Sequence, residues 1–415
     1  MLEITGKYNT ARIMTNEIDE STRQQVCDFL SSVVMDKCNI VIMPDCHAGA
    51  GAVVGFTSTL VDKLCPNIVG VDIGCGIMAL NLGKINVNFE KLEKFIRDNI
   101  PLGFNRHDTV PKDFEWMIDK EKREILDIVD ITGQNPKSVL CSLGTLGGGN
   151  HFLEVDKDDN DTLWLVIHTG SRNFGLQVAN FYQQGARRLN LPNTFKNLEY
   201  MPIDSTEGEG YLYSMTVAQS YASLNRQLIA YRITKDFFGM SGFPENFMSV
   251  HNYIDIQNKI IRKGAISAYS GERVIIPLNM RDGSIIGKGL GNPDWNFSAP
   301  HGAGRVLSRT QAKKTLELKD FKESMKGIAT WSVSENTLDE APKAYKDKSV
   351  IINSIGNTVS IDKFITPVYN LKASEDNSGR DRRHKLTKEE KADFAKRYAK
   401  TMGHSKELKR IEEVV

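Results

Sequence analysis

Asp72 and Cys75, three residues apart in the stretch VGVDIGCGIMAL, stand among Gly70, Gly74 and Gly76. Glycine loses more backbone freedom on ordering than any other residue, so a string of it marks a close approach or an unusual dihedral. A carboxylate and a thiol delivered at such a turn can converge on something small and positive, although a lone cysteine there also serves as a small buried hydrophobe. Five of the eight histidines share this setting, each at the end of an apolar run and beside glycine or a small polar residue. They are His47 in MPDCHAGAG, His151 in LGGGNHFLE, His168 in VIHTGSR, His251 in SVHNY and His301 in APHGAGR. His107, His384 and His404 lie in polar surroundings and read as surface residues. One histidine at a strand end is most often a satisfied structural residue. Five of them, with Asp72 and Cys75, read as imidazole, carboxylate and thiolate brought into one cleft, which is how a transition-metal site is built. A single thiolate can bridge two ions, with His151, His168 and His251 completing two separate shells. Donor softness alone favours zinc, but availability and geometry also decide which ion binds.

The glycine-rich stretches suggest phosphate chemistry. GAGAVVG from Gly49 to Gly55 misses the dinucleotide fingerprint by one residue and precedes no helical pattern, and no P-loop signature exists anywhere in the chain. GTLGGGN, GKGLGN and HGAGR each offer backbone amides that can approach a phosphate or a purine closely, though each by itself also reads as a turn. HGAGR says most. An imidazole is a nucleophile toward phosphorus, and a phosphoramidate splits one hard transfer into easier steps. Gly302 and Gly304 remove side chains from an in-line approach, and Arg305 and Arg172 are candidates to hold phosphate oxygens or, equally, to form structural ion pairs.

These residues must be positioned by a chain of 415 residues with 40% apolar and 25% charged content, an ordinary globular composition long enough for one large elaborated domain or two. The net charge of +1 advertises no polyanion partner, so nucleic acid must be met by a local patch. Six cysteines without a C-x-x-C pair exclude a zinc ribbon and a disulfide scaffold. No apolar leader and no membrane-length run is present, which implies a reducing, cytoplasmic setting and no membrane partner. Periodicity predicts helices over 18–34, 87–99, 112–128, 175–190 and 211–238. The runs CNIVIMPD (broken by Pro44), SVLCSLG, TLWLVIH and ERVIIPLNM read as strands. The irregular alternation favours an α+β core over a doubly wound sheet. From Ala373 to Val415, 12 Lys/Arg against 9 Asp/Glu and few apolar residues predict a charged linker and a helical C-terminal extension.

Taken together, MPDCHAGAG, GVDIGCG, LGTLGGGNHFLE, IHTGSRNFG, HNY, RKGAISA, GLGN, HGAGRVLSRTQAKK and LDEAPKAYKD resemble the RtcB family of RNA-splicing ligases, in order, from about residue 10 to residue 372. The resemblance implies a single large domain over 1–372, with mixed β-sheets around a central metal and nucleotide cleft, and an extension over 373–415. It implies a ligase dependent on GTP and two Mn²⁺ ions, joining RNA 3′-phosphate or 2′,3′-cyclic phosphate ends to 5′-hydroxyl ends. Carried over, Asp72, Cys75 and His151 match the ligands of one manganese ion, and Cys75, His168 and His251 those of the other. His301 matches the catalytic histidine that accepts GMP. Guanylate contacts fall on Asn150, His151, Phe152, Leu153, Glu154, His251, Asn252, Pro277, Leu278, Asn279, Met280, Ser284, His301, Gly302, Ala303, Gly304 and Lys372. The family's chain usually ends at the lysine matched by Lys372, and where it commonly reads Pro-Gly-Ser-Met-Gly this chain has Pro277-Leu278-Asn279-Met280-Arg281. Leucine in place of glycine implies a backbone without positive φ, and Arg281 adds a cation near the nucleotide. The sequence leaves the need for an activator protein open. Two rival readings remain: a metal-dependent phosphodiesterase or phosphatase acting on RNA 3′ ends without guanylylation, and a binding protein that has lost ligation.

Overall fold

A computed structural model describes residues 1–373. The expected charged extension therefore lies outside the described residues, Ala373 apart, as do His384 and His404. The fold is α+β. Seven strands form one sheet in the order Asn246–Val250, Gly76–Gly83, Leu163–Thr169, Phe152–Lys157, Val359–Lys372, Gly283–Gly289, Arg273–Asn279, every pairing antiparallel. Six strands form a second sheet, in the order Leu2–Thr5, Thr10–Ile13, Ile40–His47, Val54–Thr59, Ile260–Lys263, Asn252–Asp255, and two small ladders pair Ala265–Ser267 with Ser298–Pro300 and Lys63–Leu64 with Met201–Pro202. Only this second sheet is mixed, through the parallel pairing of Thr10–Ile13 with Ile40–His47.

Period-two alternation sorts the side chains of the seven-stranded sheet onto two faces. Met78, Leu80, Leu153, Val155, Leu165 and Leu371 join one apolar cluster, and Ile77, Ala79, Phe152, Trp164, Val166 and Ile365 another. The largest cluster packs helices Glu20–Leu30, Arg172–Leu189 and Thr206–Tyr231 against residues of the six-stranded sheet, among them Ile13, Ile42 and Phe56.

The strand predicted at TLWLVIH forms as Leu163–Thr169, and the one predicted at ERVIIPLNM as Arg273–Asn279. The long 211–238 pattern is the helix Thr206–Tyr231, capped by Ser205, followed by a wider π-type segment, Arg232–Phe237. The 112–128 pattern splits into short turns and the helix Lys122–Thr132. SVLCSLG is not a strand. Pro136–Leu140 is a short helix, because the Asn135 side chain accepts from the Ser138 amide and Pro136 occupies the first turn, a start signal that outranks an apolar run. Nor does Pro44 break its strand. Ile40–His47 continues through it, and the ladder to Val54–Thr59 lapses between Ile42 and His47, where a missing N–H loses nothing.

Candidate metal and nucleotide site

Strand register brings the donors together. Gly76 pairs with Val250 on one side and Thr169 on the other, while His168 pairs with Phe152. The residues at that end of four adjacent strands are Cys75, His251, His168 and His151, so one edge of the sheet delivers all four. The backbone then passes from Asn246–Val250 of one sheet to Asn252–Asp255 of the other, with His251 at the crossing. The amide of His251 donates to the Cys75 carbonyl at 2.9 Å.

The glycines of GVDIGCG have a defined task. Gly74 sits at φ 70°, and a Cβ there would lie 2.8 Å from the Cα of Gln219. The loop carrying Asp72 and Cys75 can press onto the helix Thr206–Tyr231 only without a side chain. That helix returns the contact: the Arg226 guanidinium donates to the carbonyls of Gly74 (2.9 Å) and Thr169 (2.8 Å). Asn225 donates to Thr145 O at 3.0 Å and Gly170 O at 3.2 Å. Neither residue stood out in the sequence, because a polar pair inside a long helical pattern reads as a solvated face.

The Cys75 sulfur lies 3.5 Å from His151 Nε2 and 3.3 Å from His168 Nε2. His151 Nε2 is 3.1 Å from Asp72 Oδ2, and His168 Nε2 is 3.4 Å from His251 Nε2. Two ligand sets result, Asp72–Cys75–His151 and Cys75–His168–His251, each with its donor atoms within 4.8 Å of one another and sharing the sulfur. His168 Nδ1 faces the Asn150 carbonyl at 3.1 Å, which makes Nδ1 the protonated nitrogen and turns the Nε2 lone pair inward. Burial and the surrounding imidazoles hold His168 and His251 neutral. Burial, reinforced by the Asp72 charge, pushes the Cys75 thiol far up. A cation is what converts such a thiol to thiolate, since coordination deprotonates it outright.

His301 stands beside this cluster, its ring centroid 4.8 Å from that of His251. Its Nδ1 lies 2.6 Å from Asp45 Oδ2, and Asp45 is fully buried. The carboxylate takes the Nδ1 proton as a hydrogen bond, so the Nε2 lone pair is free toward the cavity. Asp45 was missed as a functional residue although it lies in MPDCHAGAG; a carboxylate two residues from a histidine was the available signal. Gly304 makes the pairing possible: at φ 75°, a Cβ there would sit 2.1 Å from the Asp45 carbonyl oxygen. His47 lines the same cavity with Nδ1 3.0 Å from the Asp45 carbonyl, and burial lowers its pKa to about 4.

The cavity measures about 340 Å³, and Asp72, Cys75, His168 and His251 open onto it. Asn150, Phe152, Glu154, Asn252, Pro277 to Met280, His301 to Gly304 and Lys372 line it. His151 stands in the ligand cluster beside it. Two expected contacts are placed otherwise. The Leu153 side chain packs into the apolar cluster on the opposite face of its strand, as alternation requires, and Ser284 is buried off the cavity wall with its hydroxyl unpartnered. Leu278 has no positive φ, as its replacement of glycine implied; instead the strand bulges between Pro277 and Asn279. Arg281 brings no free cation, because Asp282 pairs with it at 2.8 Å, away from the cavity. Arg172 is likewise tied to Thr145 Oγ1 (3.1 Å) and Gly103 O (2.6 Å), so it braces loops. Arg305 lines the cavity and pairs with Glu340 at 3.3 Å, the ion pair that one of its two readings expected.

An α+β domain that gathers two candidate metal-ligand triads around one thiol, with a carboxylate-oriented imidazole beside them, is the class of protein these features define. A family model described as tRNA-splicing ligase RtcB matches residues 30–373, and the chain belongs to that family. It is 28% identical to the RNA-splicing ligase RtcB of Escherichia coli K12, over 83% of this chain and 92% of that protein. It is 27% identical to the tRNA-splicing ligase RtcB of Methanococcus maripaludis, over 83% and 90%, and 27% to that of Nanoarchaeum equitans, over 79% and 86%.

Proposed function

We propose that this chain is an RNA ligase that joins a 3′-phosphate or 2′,3′-cyclic phosphate end to a 5′-hydroxyl end, with GTP consumed through His301. The observation that carries the reading is the Asp45-oriented His301 ring, tilted against that of His251, which leaves Nε2 as the available nitrogen beside the paired triads.

The donor set fits two divalent cations: one sulfur, three imidazole nitrogens turned inward and one carboxylate, with His151 Nδ1 and His251 Nδ1 lacking partners on their outer sides. Asp72, Cys75 and His151 would hold one manganese ion and Cys75, His168 and His251 the other, and bound there they supply charge neutralisation at the reacting phosphates. His301 Nε2 attacks the α-phosphorus of GTP. The P–N bond forms as the bond to pyrophosphate breaks, while Asp45 stabilises the charge that develops on the ring. The guanylyl group then passes from His301 to the RNA 3′-phosphate, restoring the imidazole, and the 5′-hydroxyl displaces GMP. Glu154 and Lys372 stand at the base end of the cavity. Burial lifts the Glu154 carboxyl to about 7 against the pull of Lys372, so it can offer either a donor or an acceptor to a purine edge. Arg305 and Arg309 stand where a terminal RNA phosphate would enter. Residues 1–372 form the catalytic domain in this reading, 373–415 an extension, and the reduced Cys75 suits a cytoplasmic location.

Incubation with α-labelled GTP and manganese tests the reading. A protein adduct that is acid-labile and alkali-stable, lost in His301→Ala, is the expected result. Release of phosphate from RNA 3′ ends without GTP, undiminished in His301→Ala, would replace the ligase by a metallophosphodiesterase.

A further inference from the structure

Glu340 lies just behind the cavity wall, buried at the end of the turn Glu335–Glu340 in LDEAPKAYKD. Four groups that face the cavity converge on its carboxylate. Oε1 takes Arg305 Nη1 at 3.3 Å and lies 3.8 Å from Arg309 Nη2. Oε2 accepts from the Tyr345 hydroxyl at 2.6 Å and from the Lys372 ammonium. Arg305 also stacks over the Tyr345 ring, 5.0 Å from its centroid, and Lys372 lies 5.5 Å from the centre of Phe152. Asp339 shares Arg309 at 3.7 Å and takes Lys313 at 3.4 Å. Burial would raise the Glu340 carboxyl, but Lys372, Arg309 and Arg305 outweigh it and hold it at about 2.

This carboxylate joins two distant segments of the chain. Lys372 ends the strand Val359–Lys372 and pairs there with Phe152, and Arg305 and Arg309 follow the HGAGR turn; all three line the cavity. Three long cationic side chains would otherwise each lose considerable rotamer freedom on meeting a ligand. Held on one buried anion, they are ordered beforehand and keep a surplus of positive charge for incoming phosphate.

We infer that Glu340 is a positioning residue serving both subsites at once, fixing Lys372 for the nucleotide and Arg305 with Arg309 for the phosphate of the RNA 3′ end. The inference rests on the ligase reading above.

Glu340→Gln keeps the shape and removes the charge. Two measurements on the full chain read the two ends: the KM for GTP in adduct formation, and the affinity for an oligoribonucleotide ending in 3′-phosphate against the same oligomer ending in 3′-hydroxyl. The expected result is a rise in the GTP KM and a fall in the 3′-phosphate preference, each about tenfold, with kcat for adduct formation changed by less than about threefold. Glu340→Asp, which restores the charge on a shorter arm, should recover part of both. Should Glu340→Gln fail to fold, Tyr345→Phe frees one bond to Oε2 and should move both readouts the same way by a smaller factor. A shift at one end only, at neither end, or in kcat alone overturns the inference. A wild-type chain that forms no adduct with GTP sinks the ligase reading and this inference with it, whereas an active wild type beside an indifferent Glu340→Gln sinks the inference alone.

Discussion

Single side chains here carry two opposite electrostatic tasks. Asp45 is a buried carboxylate whose use is to fix one ring: with Nδ1 occupied at 2.6 Å, His301 can expose only Nε2 as a base or nucleophile. Asp45→Asn preserves the shape but offers an amide in place of the charge. The initial rate of guanylate transfer to the protein should fall at least about 100-fold, with the thermal midpoint nearly unchanged. Asp156 is the contrary case. It is buried with both carboxylate oxygens unpartnered among the described residues, and burial, then the charge of Glu154, pushes its pKa far above the ordinary carboxylate value. A folded pKa above the unfolded one means that the native state binds the proton more tightly. Its contribution to stability is complete below about pH 4 and is lost as pH climbs toward the folded value. Asp156→Asn mimics the protonated form at every pH. Its stability relative to wild type, measured by urea unfolding, should therefore improve by at least about 1 kcal/mol between pH 5 and pH 8. A difference independent of pH would show that Asp156 is ionised and partnered.

At the scale of elements, the metal-ligand loop, the helix behind it and the sheet edge form one packed unit. Arg226 and Asn225 of Thr206–Tyr231 satisfy carbonyls of the loops bearing Asp72, His151 and His168, so the helix acts as a template for the ligands. Gly74→Ala forces a Cβ to 2.8 Å from the Gln219 backbone at a positive φ. It should cost about 1–3 kcal/mol of stability and displace Cys75, which serves both triads. Metal analysis after dialysis against manganese should then show a loss of both ions together; retention of one would mean that the sulfur is not shared. Helices and strands with strong patterns were legible, as at TLWLVIH and 211–238. SVLCSLG misled because so short an apolar run has no period of its own, and the Asn135–Pro136 start decided it.

Over the whole molecule, a net charge of +1 leaves RNA no general field to follow. In the proposed reading, attraction comes from the wall bearing Arg305, Arg309 and Lys372, whose charges are partly spent on Glu340. Binding of RNA should therefore weaken only gently with salt, with a log–log slope between about −1 and −3, as expected for a few phosphate contacts. A slope near −8, read by fluorescence anisotropy from 50 to 300 mM salt, would point to an extended tract along the surface.

The motifs around Asp72, Cys75, His151, His168, His251 and His301 determined the donor chemistry and the family resemblance, because residue types and local glycine patterns are written in the chain itself. The longer described helices could be read for the same reason, whereas Arg309–Thr315, Leu318–Ser324 and Lys348–Ser354 were not foreseen. What the tertiary structure alone decided is which side chains meet. The pairing of Gly76 with Val250 and Thr169 sets four strand ends level, and Asp45 reaches His301 across 256 residues of chain. Glu340 gathers three cations from two distant segments of the chain in the same way. Such meetings depend on strand register and on long-range packing, energies summed over many distant contacts, and no local window of sequence contains them.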